Sequence, residues 1–210
     1  MDEDLRAELL RRVARDQAAR LAYDAEAARQ ADAENLPWLK QVIARAGWPS
    51  RSLVGEDGAS AAWLLAQHAD DDPAFQRHCL GLLTAAAAQG AASLRAVAYL
   101  TDRVLLAEGK PQEYGTQLTG RGGRYRPQRL RDPGGVDERR AAMSLGPLAD
   151  YLADFAAGNP PPPSSTSCPA CAGRIDFWPP DEEGSEITAE CPACGYTLRM
   201  RLVGRPPAGS

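Results

Sequence analysis

The sequence predicts a mainly α-helical fold: a single helical domain with a short β-hairpin or ordered loop, followed by a small β module that two cysteine pairs identify as a zinc ribbon. Three observations support this prediction. Apolar residues recur at a spacing close to 3.6 residues over most of positions 1–158. A Pro- and Ser-rich stretch follows at 159–167, and two CPAC motifs, Cys168–Cys171 and Cys191–Cys194, lie beyond it.

Caps and helix breakers place the boundaries of the predicted helices. Asn35 as N-cap with Pro37 in the first turn predicts the second helix, and Asp72 with Pro73 predicts the fourth in the same way. A Gly-containing loop at 54–58 precedes the third helix. The predicted helices cover 3 to about 33 with at most one break, 35–47, a segment through Trp63 to His68, 72–90, 93–107, 136–143 and 147–157, and the hairpin or ordered loop lies at 112–118 and 124–130.

The composition is that of an ordinary folded protein and gives no general attraction to polyanions. The chain has 210 residues, of which 44% are hydrophobic and 25% charged, and its net charge is −4. A negative net charge disfavours nucleic acid and anionic membranes as partners. The N-terminus has no basic region followed by an apolar region, as a secretory signal would, and no apolar run is long enough to cross a bilayer, so we expect a cytoplasmic protein without membrane contact.

Composition changes along the chain predict four segments. The helical domain covers 1–158, a Pro/Ser linker covers 159–167, the zinc ribbon covers 168–204, and a disordered tail covers 205–210.

The two CPAC motifs predict a structural Zn²⁺ site. Nineteen residues separate Cys171 from Cys191, and a tetrahedral zinc ion binds four thiolates when two such turns face each other. Thioredoxin-like redox chemistry and iron binding are the alternatives, and the redox alternative lacks a βαβ context. The predicted ligands are Cys168, Cys171, Cys191 and Cys194. Because acidic residues outnumber basic ones in the ribbon, we expect a protein partner or a purely structural role in preference to phosphate binding.

Polar residues in the helical domain form a second group of candidates. Asp16 and Arg20 are four residues apart, so they can pair on one helix face, although an exposed salt bridge would show the same spacing. His68 ends an apolar helix beside Asp70, where a helix cap is the simpler interpretation. The segment 111–117 combines amides, a phenol, a hydroxyl and a glycine, and it suits either a ligand-binding loop or a rigid packed loop equally well.

From these residues we derive a hypothetical site. The candidate catalytic residues are His68, Asp70 and Asp16, and the candidate ligand-binding residues are Gln17, Arg20, Asp102, Arg103, Gln112, Tyr114, Thr116 and Gln117. In this hypothesis His68 is the general acid or base, Asp70 or Asp16 orients it, and Arg20 and Arg103 bind an anionic group.

Several of these residues belong to ordered motifs. They are RDQxxR at 15–20, GWPS with a following VG at 47–55, QHAD at 67–70, AYLTDRV at 98–104, PQEYGTQ at 111–117 and VDERR at 136–140. Together they resemble a bacterial family of unknown function marked by a YGTQ motif, over roughly residues 5–155. The resemblance implies one helical domain in which the motifs meet, and the ribbon looks like an addition outside the family's usual extent.

Two functional hypotheses remain open. The first is a hydrolase or transferase that acts on a small polar or anionic ligand through His68. The second is a noncatalytic adaptor in which the polar residues form a ligand pocket or a core network and the ribbon docks a protein partner. No nucleophile motif, phosphate loop or HExxH motif is present to decide between them.

Overall fold

The computed structural model describes residues 1–22, 24–121, 124–158, 164–177, 186–191 and 193–201. The protein is mainly helical with small antiparallel hairpins, as predicted. The helices are α1 Glu3–Leu21, α2 Ala25–Ala46, α3 Arg51–Gln67, α4 Pro73–Ala88, α5 Leu94–Ala107, α6 Val136–Ala142 and α7 Leu148–Gly158. The strands are β1 Leu118–Arg121, β2 Arg124–Pro127, β3 Ser164–Ser167, β4 Arg174–Phe177, β5 Glu186–Glu190 and β6 Thr197–Arg201.

The chain divides into two compact units. The helical unit comprises Met1–Thr119 and Arg126–Leu152, and the second unit comprises Gly120–Tyr125 and Ala153–Ser210. The domain boundaries derived from composition remain a prediction. Within the described residues, no helix combines the length and the apolar character that a bilayer crossing requires.

The second helix begins at Ala25 and not at the predicted residue 35. Asp24 caps α2, since its carboxylate accepts a hydrogen bond from the Ala27 amide at 2.9 Å. The prediction that Asn35 is an N-cap was wrong: Asn35 is buried within α2, and Pro37 lies inside the helix. A proline inside a helix costs about 3 kcal/mol. Burial of Leu39, Val42 and Ile43 just beyond it, at ~2 kcal/mol each, outweighs that cost.

The predicted loop at 54–58 is a kink inside α3. Gly55 has φ +75° and ψ 175°, so the chain leaves helical geometry for one residue and then continues. Glycine is required there because other residues rarely adopt a positive φ. A Cβ on Gly58 would lie 2.9 Å from the Cβ of Val54, so the second glycine of the segment allows the backbone to pack closely.

The core of the helical unit lies between its first five helices. Each contributes a fully or almost fully buried leucine: Leu9, Leu39, Leu65, Leu83 and Leu100. The lone cysteine, Cys79, is buried among them, and burial raises the pKa of its thiol to about 12. A thiol of that pKa in an apolar core is a packing group and not a nucleophile.

After α5 the chain forms the ordered segment that the change in periodicity predicted. Strands β1 and β2 pair as a two-stranded sheet, and Gln112 and Leu130 form an isolated bridge at its base. Asp132 precedes a 3₁₀ turn at Pro133–Gly135, from which α6 continues.

The second unit contains two small antiparallel pairs. Strand β3 pairs with β4, from Ser164 opposite Phe177 to Ser167 opposite Arg174, and β5 pairs with β6, from Glu186 opposite Arg201 to Glu190 opposite Thr197. Strand β3 lies within the segment predicted as linker. The rest of that linker, residues 178–185 of the predicted ribbon and the predicted tail fall outside the described residues.

Candidate functional site

The four cysteines of the CPAC motifs converge in the second unit. The Sγ atoms of Cys168 and Cys194 are 3.6 Å apart, and so are those of Cys171 and Cys191. Each motif folds back on itself. The Cys168 amide donates to the Gly173 carbonyl at 2.7 Å, and the Cys191 amide donates to the Tyr196 carbonyl at 2.8 Å.

These sulfur separations match a tetrahedral metal site. With metal–sulfur bonds of about 2.3 Å, the edges of a sulfur tetrahedron measure ~3.8 Å, and the four sulfurs lie 3.4–3.7 Å from one another. A disulfide would bring two of them to ~2.0 Å. The four cysteines can therefore hold one metal ion, as predicted.

Two residues of the predicted site meet in the helical unit. His68 is the C-cap residue of α3, and its Nδ1 lies 2.9 Å from Oδ2 of Asp16, which projects from α1. The Asp16 side chain is 0% exposed and the His68 side chain is 14% exposed. Gln17 donates to the same carboxylate oxygen at 2.8 Å, and Arg20 donates to the other oxygen at 3.0 Å.

Asp32 joins this cluster from α2. Its two carboxylate oxygens accept hydrogen bonds from the same Arg20 nitrogen at 2.7 and 2.9 Å, so the guanidinium bridges Asp16 and Asp32. Oxygen and nitrogen atoms of Asp16, Asp32 and His68 lie within 4.8 Å of one another. Because Arg20 already lies between the two carboxylates, it supplies the positive charge that a metal ion would otherwise supply.

The cluster keeps Asp16 ionised and makes Asp32 a weaker acid. Burial raises the pKa of Asp16, but the hydrogen bond and charge of His68, the Gln17 amide and the charge of Arg20 outweigh burial and hold that pKa at about 2. For Asp32, burial outweighs the opposing contacts with Arg20, and its pKa is raised. The result is a buried carboxylate beside a partly exposed imidazole.

Sequence reasoning did not select Asp32. Arg20 and Asp32 meet because α1 and α2 pack antiparallel, and no spacing within one helix indicates that contact. The predicted helix from 3 to about 33 allowed one break but did not locate it, so the prediction did not bring these two residues together.

Asp70 turns away from His68. Its carboxylate accepts from Arg103 of α5 at 2.6 and 2.9 Å and from Gln76 of α4 at 3.0 Å. These three residues line a cavity of about 280 Å³ together with Gln117 and Gln128. Among the described residues, Gln76 Oε1 and Arg103 Nε are buried without a hydrogen-bond partner, so polar capacity remains unused beside this cavity.

Asp102 holds the loop at 111–117 in place. It is 0% exposed, and its carboxylate accepts from the backbone amides of Glu113, Tyr114 and Thr116 at 2.7, 3.0 and 2.9 Å. The Thr116 hydroxyl donates to it as well, at 2.9 Å. Burial raises the pKa of Asp102, while these donors oppose the shift.

Gln112 joins the loop to the residue that follows β2, since its amide donates to the carbonyls of Gln117 and Gln128 and accepts from the Gln117 amide. The polar groups of Asp102, Gln112 and Thr116 therefore serve the loop itself. Tyr114 is half-buried, and burial raises the pKa of its phenol. Its carbonyl accepts from the buried Arg140 of α6 at 2.7 Å.

The fold and these sites define a mainly helical protein that carries a four-cysteine site able to hold a metal ion. Over residues 3–157 the chain matches the model of a family described as a family of unknown function (DUF6624), and the chain belongs to that family. The matched range ends before Cys168. Neither the curated proteins nor the solved structures gave a significant match.

Proposed function

We propose that the helical unit binds a small polar ligand and acts on it as a hydrolase or transferase, with His68 as general base. The observation that carries this proposal is the 2.9 Å contact between His68 Nδ1 and the buried Asp16 carboxylate. Because an ionised carboxylate accepts and cannot donate, it selects the tautomer with a proton on Nδ1 and a lone pair on Nε2. That lone pair can remove a proton from a water molecule or a substrate hydroxyl.

The surroundings of Asp16 favour this role over a simple helix cap. Arg20 and Gln17 satisfy the carboxylate from two further directions, so its position is fixed before any ligand binds. Positioning of this kind is what an acid–base pair needs, because the base must meet its proton within hydrogen-bond distance.

A cavity beside Asp70, two residues along the chain from His68 but not lined by it, supports binding of an uncharged polar ligand in the same unit. The charges of Asp70 and Arg103 compensate each other, and three glutamines, Gln76, Gln117 and Gln128, line the remaining polar wall. Amide side chains offer both donors and acceptors, which suits hydroxyl, amide or carbonyl groups. Arg20 and Arg103 already bind carboxylates of the protein, so an anionic ligand is less well supported.

We assign the metal of the four-cysteine site as Zn²⁺, in a structural role. Four thiolates in two CPAC turns leave no open coordination position for a substrate, and tetrahedral thiolate sites select zinc. In the described part of this unit the buried cluster comprises Cys168, Ile175 and Cys191, which is too small to stabilise a fold without a metal ion.

A noncatalytic adaptor is the second candidate, and one observation favours it. Of the predicted ligand-binding residues, Asp102, Gln112 and Thr116 bond within the loop at 111–117 and its supports. A polar network of this kind stabilises a surface and leaves few groups for a ligand.

The deciding experiment compares two histidine variants. His68→Gln removes the imidazole, and with it the Nε2 lone pair that would accept the proton. His78→Gln alters the exposed histidine of α4 and is the control. We expect wild-type protein to hydrolyse at least one of p-nitrophenyl acetate, p-nitrophenyl phosphate and leucine p-nitroanilide. His68→Gln should lose about 100-fold or more of that rate with little change in Tm, and His78→Gln should keep it.

A loss of Tm in His68→Gln without any change in rate would overturn the catalytic proposal and support the adaptor. Absence of turnover by wild type on all three substrates would count against a hydrolase with these leaving groups. Asp16→Asn provides the companion test, because it should lower the rate while His68 is retained.

A further inference from the structure

A second cavity lies where the turn before α3 meets α4 and the start of α5. It has a volume of about 160 Å³ and no part in the proposed function. Its floor includes Trp48 of the GWPS motif, together with Trp63 and Leu83. An apolar cavity of about 150 Å³ accommodates one benzene-sized ring, so this space fits a ligand body of that size.

The two indoles that line the cavity have unused donors. Trp48 is 8% exposed, and the Nε1 atoms of Trp48 and Trp63 are both buried without a hydrogen-bond partner among the described residues. Buried N–H groups without partners are costly and rare in folded proteins. Because atoms without exposed area cannot contact a ligand in the cavity, these two indoles offer it apolar ring surface and not hydrogen-bond donors.

The rim of the cavity carries positive charge. Arg95 stacks over the Tyr99 ring, with its guanidinium carbon 5.4 Å from the ring centroid, and donates to the Tyr99 hydroxyl at 3.3 Å. No carboxylate pairs with Arg95 in the part of the chain that the structure describes. The second rim cation, Arg51, pairs with Glu56 at 2.7 Å, so the rim retains one uncompensated positive charge.

The first turn of α5 adds backbone donors at the same rim. Ser93 is the N-cap residue and lines the cavity, but its side chain makes no capping hydrogen bond. The amides of the first helical turn have no partner within a helix, and the helix dipole there favours an anion.

We propose that this cavity binds a small carboxylic acid whose apolar part is a single aromatic ring. The ring packs against Trp48 and Trp63, and the carboxylate lies at the rim near Arg95 and the start of α5. The apolar floor disfavours inorganic phosphate, which has no apolar part to bury. The unpaired Arg95 disfavours an uncharged aromatic molecule, since such a ligand would leave this charge unused.

The test uses NMR of the full-length ¹⁵N-labelled protein with benzoate, benzamide and inorganic phosphate as probes. Indole N–H signals report on the cavity directly, and Trp38, which does not line it, is the internal control. We expect benzoate in the millimolar range to shift the signals of Trp48 and Trp63 and to leave that of Trp38 unchanged. Benzamide has the same shape without the charge and should bind at least tenfold more weakly.

A pair of arginine variants provides the protein-side comparison. Arg95→Gln should weaken benzoate binding about tenfold, which is the loss expected for one charge-assisted hydrogen bond. Arg45→Gln, an exposed arginine of α2 outside the cavity, should leave it unchanged.

Three outcomes would overturn the proposal. They are no shift of Trp48 and Trp63 with benzoate, equal binding of benzamide and benzoate by wild type, and equal shifts with phosphate. The comparison of probes on wild-type protein requires no variant, so the proposal remains testable even if Arg95→Gln folds poorly.

Discussion

Asp16 and Asp102 are both fully buried carboxylates, but their partners differ in kind. Asp102 accepts from three backbone amides and a hydroxyl, all from the loop that it anchors. Asp16 accepts from the side chains of His68, Gln17 and Arg20. Backbone donors fix a chain segment, whereas an imidazole partner retains a second nitrogen for chemistry. For this reason we assign the candidate catalytic site to Asp16 and His68 and not to Asp102.

The depressed pKa of Asp16 predicts a particular pH dependence of stability. A carboxyl group whose pKa falls from 3.8 to about 2 on folding stabilises the protein fully above pH ~4, and the contribution disappears as the pH falls toward 2. At neutral pH we expect Asp16→Asn to lower the free energy of unfolding by about 2 kcal/mol. The difference between wild type and variant should shrink between pH 4 and pH 2.

Urea unfolding at a series of pH values measures this difference, with Asp71→Asn, which alters an exposed carboxylate in the turn before α4, as the control. A difference that stays constant down to pH 2 would show that Asp16 has no depressed pKa.

At the scale of single residues, sequence spacing predicted contacts between side chains of the same helix but not contacts between side chains of different helices. The pairing of Asp16 with Arg20 follows from a four-residue separation, and the structure contains it. The contact of Asp16 with His68 joins α1 to α3, and it entered the sequence analysis as one of two alternatives. Asp32 could not be selected, because its place depends on where α1 ends.

At the scale of elements, local capping chemistry predicted some boundaries and misled at others. Asp72 caps α4 with Pro73 in the first turn, as the sequence indicates. Asn35 and Pro37 show the same kind of pattern inside α2, where burial of the helix face overrides it. The two patterns look alike in sequence, and tertiary packing determines which of them begins a helix.

The loop at 111–117 depends on α5 through a single side chain. Asp102→Ala would leave the amides of Glu113, Tyr114 and Thr116 without their acceptor, at a cost of about 3 kcal/mol or more. We expect these three amides to lose protection in hydrogen exchange before the rest of the helical unit does. Asp150→Ala, which removes an exposed carboxylate from α7, is the matched control. Unchanged protection in Asp102→Ala would show that other contacts hold the loop.

At the scale of the whole molecule, the two units rely on different stabilising forces. The helical unit buries a leucine from each of its first five helices, and this apolar core is sufficient for a domain of its length. In the described part of the second unit, the buried residues form one small cluster around the cysteines. We therefore expect its folding to depend on the zinc ion that we propose.

Native mass spectrometry tests this dependence. We expect one zinc ion per chain in wild type and in Cys79→Ala, and none in Cys171→Ser. Removal of zinc with a chelator should abolish the ordered signals of the second unit and preserve the helical circular dichroism of the first. Retention of zinc by Cys171→Ser would place the metal elsewhere, and a metal other than zinc in wild type would refute the assignment.

At this scale the sequence predicted most of the architecture. The mainly helical class follows from periodicity, and the convergence of Cys168, Cys171, Cys191 and Cys194 follows from motif spacing. The two cavities could not be predicted, because each is lined by side chains from several elements that come together only in the folded unit.

The position of Cys79 allows its thiol and the four cysteines of the second unit to report separately on the two units. Its thiol is sealed within the leucine core of the helical unit, whereas Cys171 and Cys194 are exposed and the other two sulfurs belong to the same metal site. With the proposed zinc ion bound, a reagent that alkylates thiols would meet two separate barriers: removal of the ion would free four thiolates for reaction, and opening of the helical core would expose the fifth thiol. The number of groups attached per chain distinguishes ribbon opening from unfolding of the helices in one sample.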